Sequence, residues 1–178
     1  MSAPPQWLPD LVYLQDYGGE WAQYFEAIYK YFVDDFVKSK PKFGKRAVNV
    51  KHNPLESGKE ATFWHITHEG KIESERTPDM RRCERIRWPR PMIEHHDDNA
   101  IRCWPNKRGR DKRIVLWLHA KDYVVVLADR KRYVLLWTAY YISYNHTRQK
   151  LQKEYEEYQK SLMPPSSDDI VTPSTHGR

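Results

Sequence analysis

The stretch Arg130-Lys131-Arg132-Tyr133-Val134-Leu135-Leu136-Trp137-Thr138-Ala139-Tyr140, entered from the apolar run Tyr123 to Leu127, decides the fold of this chain. Two runs rich in β-branched and aromatic residues flank a short charged segment, which predicts a β-hairpin with its tight turn at Ala128-Asp129-Arg130-Lys131. Ile114 to Leu118 reads as a strand ahead of them, so the three form an antiparallel meander. Side chains alternate between the faces of a strand, and Thr138 and Tyr140, two residues apart, therefore share one face.

Upstream, Trp21, Phe25, Ile28, Phe32 and Phe36 recur at steps of four, three, four and four, the spacing of one helical stripe, and Pro41 ends that helix. Residues 1 to 17 carry prolines and read as irregular, yet Trp7, Leu8, Leu11 and Val12 are too apolar for a solvated tail and should pack along the domain. Arg46 to Lys51 alternates with Val48 and Val50 on one face. Asn53-Pro54 and Ser57-Gly58 then turn the chain into a second expected strand, Ala61 to Thr67, closed by His68-Glu69-Gly70. Within residues 71 to 113, Arg85 to Trp88 and Ala100 to Trp104 are expected as short strands or edge segments, with Lys107-Arg108-Gly109-Arg110-Asp111 as an exposed basic turn. Beyond the meander, Leu151, Tyr155, Tyr158 and Leu162 at steps of four, three and four predict a C-terminal helix packed on one side.

The expected architecture is α+β, a small antiparallel sheet packed against an N-terminal and a C-terminal helix. One domain spans 1 to 163, with an irregular segment at 1–17, a helix at 18–40, the sheet region at 45–143 and a helix at 145–163; a polar, disordered tail at 164–178 follows.

A chain of 178 residues supports one ordinary core. Apolar residues make up only 39%, but seven Trp and twelve Tyr mean that large rings must fill that core. A net charge of +6 suits a polyanionic partner where the excess is localised, and residues 71 to 113 localise it with thirteen Lys and Arg against eight Asp and Glu. Cys83 and Cys103 have no CxxC companion, which excludes a thiolate zinc site and leaves them as free thiols. The chain has no run of about twenty apolar residues and no basic-then-apolar leader between Met1 and Asp10, so a cytoplasmic location without a membrane partner is expected.

The order Gly58-Lys59-Glu60, Phe63-Trp64-His65-Ile66, Glu69-Gly70, Arg76-Thr77-Pro78-Asp79, Arg82-Cys83-Glu84-Arg85-Ile86-Arg87-Trp88, then the hairpin ending in Thr138-Ala139-Tyr140, resembles the phage-associated branch of the barnase, EndoU, colicin and RelE-like nuclease superfamily. The likeness covers roughly residues 40 to 160. It implies a small antiparallel sheet on N-terminal helices. It also implies metal-independent cleavage of RNA by a constellation of His, Arg or Lys, Thr or Ser, and Tyr. Many members are toxins or effectors in conflicts between phages and bacteria, which leaves room for a cognate inhibitor protein beside the RNA partner.

RNA carries its own nucleophile, the 2′-hydroxyl. A metal-free site needs only a base, an acid for the leaving 5′-oxygen, and cations around the phosphate. His65, facing away from Trp64 and Ile66 in the expected strand, has the pKa range for base or acid work, with His68 ranked second. Arg85 offers a planar fork for a phosphate. Thr138 can donate to a phosphate oxygen, and Tyr140 can move a proton or stack on a base. Arg76, Arg81, Arg82, Arg87, Lys107, Arg108, Arg110 and Arg130 are the candidates for a groove that tracks the RNA backbone.

Each has a plainer alternative: a hydrogen-bonded structural histidine, an internal ion pair for Arg85, ordinary strand residues for Thr138 and Tyr140, and solvated surface charges for the arginines. Trp64, Trp88, Trp104 and Trp137 could stack on bases, although core packing is the commoner outcome for tryptophan. His95-His96-Asp97-Asp98 lacks a further spaced ligand and reads as a solvated loop, so neither metal nor cofactor is expected. The expected activity is a metal-independent endoribonuclease, a phage or prophage toxin. The alternative is a non-catalytic module binding nucleic acid or protein on the same fold.

Overall fold

In the computed structural model, which describes residues 3–70, 72 and 75–164, the elements run α1 (Trp21–Phe32), β1 (Lys42–Phe43), β2 (Arg46–Asn49), α2 (Ala61–Thr67), β3 (His68–Glu69), β4 (Thr77–Pro78), α3 (Met80–Glu84), α4 (Pro89–Glu94), β5 (Ile101–Arg108), β6 (Asp111–Leu118), β7 (Tyr123–Asp129), β8 (Val134–Tyr141) and α5 (Asn145–Ser161). The fold is α+β. Its main sheet has the order β1-β2-β8-β7-β6-β5. The expected meander is present as β6, β7 and β8, joined by β5.

The sheet is mixed rather than purely antiparallel, because β2 pairs β8 in parallel through Val48 with Val134 and Asn49 with Leu135. Past that contact α2 takes over as the neighbour of β8, and the Thr62 hydroxyl ties the segment after β2 to β8, accepting from the Lys51 amide at 2.8 Å and donating to the Leu136 carbonyl at 3.4 Å. In β8, Leu136 pairs with Leu127 and Thr138 with Val126, which leaves Trp137 as the extra residue of a β-bulge.

The two faces of the sheet carry separate apolar layers. On one, Leu116, Val125, Leu127 and Leu136 pack with Ile28, Phe32 and Phe36 from the N-terminal helical segment, Phe63 and Ile66 of α2, and Met92 and Ile93 of α4. On the other, Trp104, Val115, Trp117, Val124 and Val126 meet Leu151 of α5. Burying a side chain of this size is worth about 1.5–3 kcal/mol, so the first and larger layer carries most of the stability. The N-terminal segment packs as expected, with the Val12 amide donating to the Glu84 carbonyl and the Trp88 indole donating to the Pro9 carbonyl, both at 2.9 Å.

Several local expectations are corrected. Ala61–Thr67 is helical, not a strand, because tertiary burial of Ala61, Thr62, Phe63, Ile66 and Thr67 outweighs their strand propensity. Arg85 to Trp88 follows a short helix rather than forming a strand; the Asp79 carboxylate caps that helix by accepting from the Arg81 and Arg82 amides. The α1 stripe buries Tyr24, Ile28 and Phe32 and leaves Trp21 37% exposed. Leu162 lies past the end of α5 and is 61% exposed, so it does not join the packed face. The β7–β8 turn begins two residues later than expected, since Ala128 and Asp129 stay paired with Leu135 and Val134. The expected disorder of the tail concerns residues almost wholly outside those described. Among the described residues, no helix is long and apolar enough to cross a membrane.

Candidate nucleic-acid interface

Three turns meet at one end of the main sheet. The β5–β6 hairpin pairs down to Arg108 with Asp111 and turns through Gly109, whose φ of +60° suits a glycine; it carries Lys107, Arg108, Arg110 and Lys112. The β7–β8 turn adds Arg130, Lys131 and Arg132. The β1–β2 turn adds Lys45 and Arg46, tied in by the Arg46–Asp129 ion pair at 2.7 Å. Asp111 and Asp129 are the acidic residues of these turns, so sequence-distant basic segments become one positive rim.

Behind the rim, on the α5 side, a cleft of about 70 Å³ opens between the helix and the sheet, lined by Asn106, Arg108, Arg113, Thr138, Tyr140 and the apolar Val115, Val126 and Leu151. Strand register builds it. Asn106 pairs with Arg113, Thr138 sits opposite Val126, and Tyr140 sits opposite Val124, so all project on the face that α5 only partly covers. The Arg113 guanidinium lies 5.2 Å from the Trp137 ring centroid and 3.7 Å from Asp111, and its Nε is buried without a hydrogen-bond partner. Burial pushes the Tyr140 phenol above its usual value; Arg108 and Arg82 oppose that rise and Glu154 adds to it. Tyr140 is thus a neutral phenol at physiological pH, a donor rather than a base.

His65 reaches this region from α2. Its main-chain carbonyl accepts from the Thr138 hydroxyl at 3.4 Å, and its ring centroid lies 6.5 Å from that of Trp137. Arg82 fixes the end of α2: one guanidinium nitrogen donates to the carbonyls of His65 and His68, both at 3.2 Å, while Nε donates to Asp79 at 3.0 Å. A cation bonded to the last carbonyls of a helix satisfies groups that would otherwise lack donors. The same guanidinium lies 5.9 Å from the Tyr140 ring. His68 is buried beside the Thr67 hydroxyl, 2.9 Å away, and desolvation, with Arg76 and Arg82, lowers its pKa. It is a structural, neutral imidazole.

Other residues singled out from the sequence lie elsewhere. Arg85 packs against the rings of Trp88 and Tyr141, at 5.0 and 4.8 Å, and donates to the Arg81 carbonyl at 2.9 Å. Tyr141 is the residue after Tyr140 and belongs to the opposite face, so Arg85 is not brought together with Thr138 and Tyr140. Arg81 reaches Ser143 and the Tyr141 ring, Arg87 lies over the Tyr31 ring, and Arg76 donates to the Gly70 carbonyl. These four arginines do not form one groove with Lys107, Arg108, Arg110 and Arg130.

His95 stacks on Trp7 and bonds the Pro91 carbonyl, while His96 bonds the Ile93 carbonyl and packs on Phe43. They are structural rather than solvated. Among the described residues, no group of three His, Cys, Asp or Glu could hold a metal ion. Both cysteines are free, and burial pushes their thiols up to about 12 at Cys83 and about 11 at Cys103.

Sequence reasoning missed Arg113 and Asn106. The available signal was alternation in β6: Arg113 precedes Val115 and Trp117 by two and four residues and shares their face. Neither a family model, nor a curated protein, nor a solved structure matches this chain.

Proposed function

We propose that this chain binds RNA along its basic rim and cleaves it without a metal at the Arg108–Arg113–Thr138–Tyr140 cleft, in the manner of the barnase and RelE-like nucleases that its sequence resembles. The observation that carries the reading is the convergence of donors on one small cleft directly behind the rim. At about 70 Å³ the cleft has more than the space that one water needs, and its lining of donors suits a phosphate's oxygens. Arg108 and Arg113 neutralise the phosphate, and the Thr138 hydroxyl can turn from the His65 carbonyl to a phosphate oxygen.

His65 takes the proton of the 2′-hydroxyl as its oxygen bonds to phosphorus, and the neutral Tyr140 phenol protonates the departing 5′-oxygen as the P–O5′ bond breaks. The products are a 2′,3′-cyclic phosphate and a 5′-hydroxyl. Arg85 has no part in this chemistry, and Arg113 takes the clamping role. A cytoplasmic toxin of phage or prophage origin, held in check by an inhibitor protein, is the biological setting that fits such an activity.

A second reading is a binding module without catalysis. The Thr138 hydroxyl is already engaged by a backbone carbonyl, which favours a structural role for it. Incubation of the purified protein with total RNA in EDTA separates the two. Cleavage that leaves cyclic phosphate ends, slowed about 100-fold or more by His65→Ala, supports the enzyme. RNA that is bound but left intact supports the module.

A further inference from the structure

The helix α5 covers an unusual surface. Along β5, Arg102, Trp104, Asn106 and Arg108 alternate onto the α5 face, and Trp117 and Arg113 stand opposite Arg102 and Asn106 on β6. Arginine planes and indoles in alternation are the composition of a surface that stacks on bases. The indole N–H groups of both Trp104 and Trp117 are buried without a hydrogen-bond partner, Trp104 against the Tyr155 ring of α5 and Trp117 beneath the Arg102 guanidinium and beside His119. An indole usually finds a partner when buried, so the cover fits this face incompletely.

The attachment of α5 is thin for a helix of 17 residues: Leu151 alone is buried, Tyr155 and Tyr158 are half-buried, and the rest of the contact is polar. Arg148 pairs with Asp122, Gln152 accepts from Arg102, and Glu154 accepts from Asn106 at 2.9 Å. The Asn106–Glu154 bond adjoins both the donor-lined cleft of about 70 Å³ and a second one of about 260 Å³, lined by Trp104, Pro105, Lys107, Glu157 and Tyr158 along with that pair. Asn106 lines both. Ser143 and Tyr144, both exposed, link β8 to the helix and are placed to act as its pivot.

We infer that the sheet face beneath α5, from Arg102 and Trp104 to Arg113 and Trp137, is a platform for the unpaired bases of a single RNA strand, which becomes available when α5 swings away. This rests on the RNA-binding reading above and narrows its substrate to single strands. The carboxylate of Glu154, beside Asn106 and Tyr140, occupies ground that the strand's phosphates would take, so strand and helix compete.

The test uses full-length protein and a fluorescent ten-nucleotide 2′-O-methyl oligouridylate, which lacks the nucleophile and stays intact, with a duplex of equal length as control. Leu151→Ser should loosen the helix and tighten single-strand binding at least tenfold, change duplex binding less than twofold, and lose the gain when Trp104→Ala is added. Unchanged binding by a folded Leu151→Ser protein, or an equal gain for the duplex, overturns the platform. If Leu151→Ser does not fold, Asn106→Cys with Glu154→Cys in a Cys103→Ser background, bridged by a bismaleimide, pins the helix instead. Bridged protein should bind at least tenfold more weakly than the same protein with both cysteines capped singly, and equal affinity overturns the proposal. Wild-type binding with no response to these changes sinks the platform alone; absence of binding by every protein sinks the RNA reading with it.

Discussion

The Thr138 hydroxyl donates to the main-chain carbonyl of His65 across 3.4 Å, linking residues 73 positions apart. It joins β8 to the last turn of α2, and the His65 ring lies 6.5 Å from that of Trp137, the residue before Thr138. Thr138→Val keeps the side-chain shape and removes the donor. Stability should change by about 1 kcal/mol or less, the usual net worth of one hydrogen bond, while single-turnover cleavage falls about 10- to 100-fold. A variant with full activity would make Thr138 scaffold only.

Arg113 and Arg85 are predicted to differ sharply. Arg113→Met should lower kcat by about 100-fold or more, as loss of a group stabilising a developing oxyanion does, whereas Arg85→Gln should stay near wild type in a folded protein. The reverse order, measured on one RNA substrate, would return the phosphate clamp to the opposite face of the sheet.

The rim should govern the salt dependence of RNA binding. Each phosphate contact on a single strand contributes about 0.7 to the slope of log K against log salt, so replacing Lys107, Arg108 and Arg110 by serine should flatten it by about 2. Replacing Arg81 and Arg87, which lie on aromatic rings elsewhere, should leave the slope unchanged. Equal effects from both sets, read by fluorescence anisotropy, would contradict a localised rim.

Asp35 gives a prediction for pH. Burial pushes its carboxyl up to about 6, against the lowering effects of Arg90 and Arg87. A carboxyl with a raised folded pKa binds more protons folded than unfolded between its ordinary value near 4 and that pKa, so its contribution to stability falls as pH rises through this window. Asp35→Asn should therefore stabilise the protein above about pH 6, by about 1 kcal/mol after allowance for solvent screening, and gain little below about pH 4. Thermal melts at pH 4 and 7.5 measure it, and an equal gain at both would remove the titration from the account.

Phe63 is fully buried among the rings of Phe25, Tyr29 and Phe32, at centroid distances of 5.0–5.5 Å. Phe63→Ala should cost about 3–5 kcal/mol in denaturant unfolding, with RNA cleavage lost as the protein unfolds. A cost under about 1 kcal/mol would mean that α2 is not seated where these rings meet.

The meander, the flanking helices and the shared face of Thr138 and Tyr140 were legible because period and alternation are local properties. Ala61–Thr67 was not legible. Its aromatic and β-branched residues favour a strand, and only burial on several sides by α1 and β8 makes it a helix. That error also misplaced the surroundings of His65. Arg85 was misread for a related reason: the Asp79 cap turns the following residues into a short helix, and which face of the sheet that helix meets is fixed by long-range packing. Arg113 escaped notice because a charged residue in a hairpin looks like any surface charge until the strands are in register.

The extent of the sheet has a consequence for self-association. On one side β1 is only two residues long, and α2 runs beside β8 where β2 stops, so neither offers a long open edge. The remaining border is β5, where Pro105 brings no amide donor and Lys107 and Arg108 add like charge. Docking a further strand there would meet a gap in the donors and electrostatic repulsion, which protects a chain rich in aromatic β-structure from edge-to-edge aggregation.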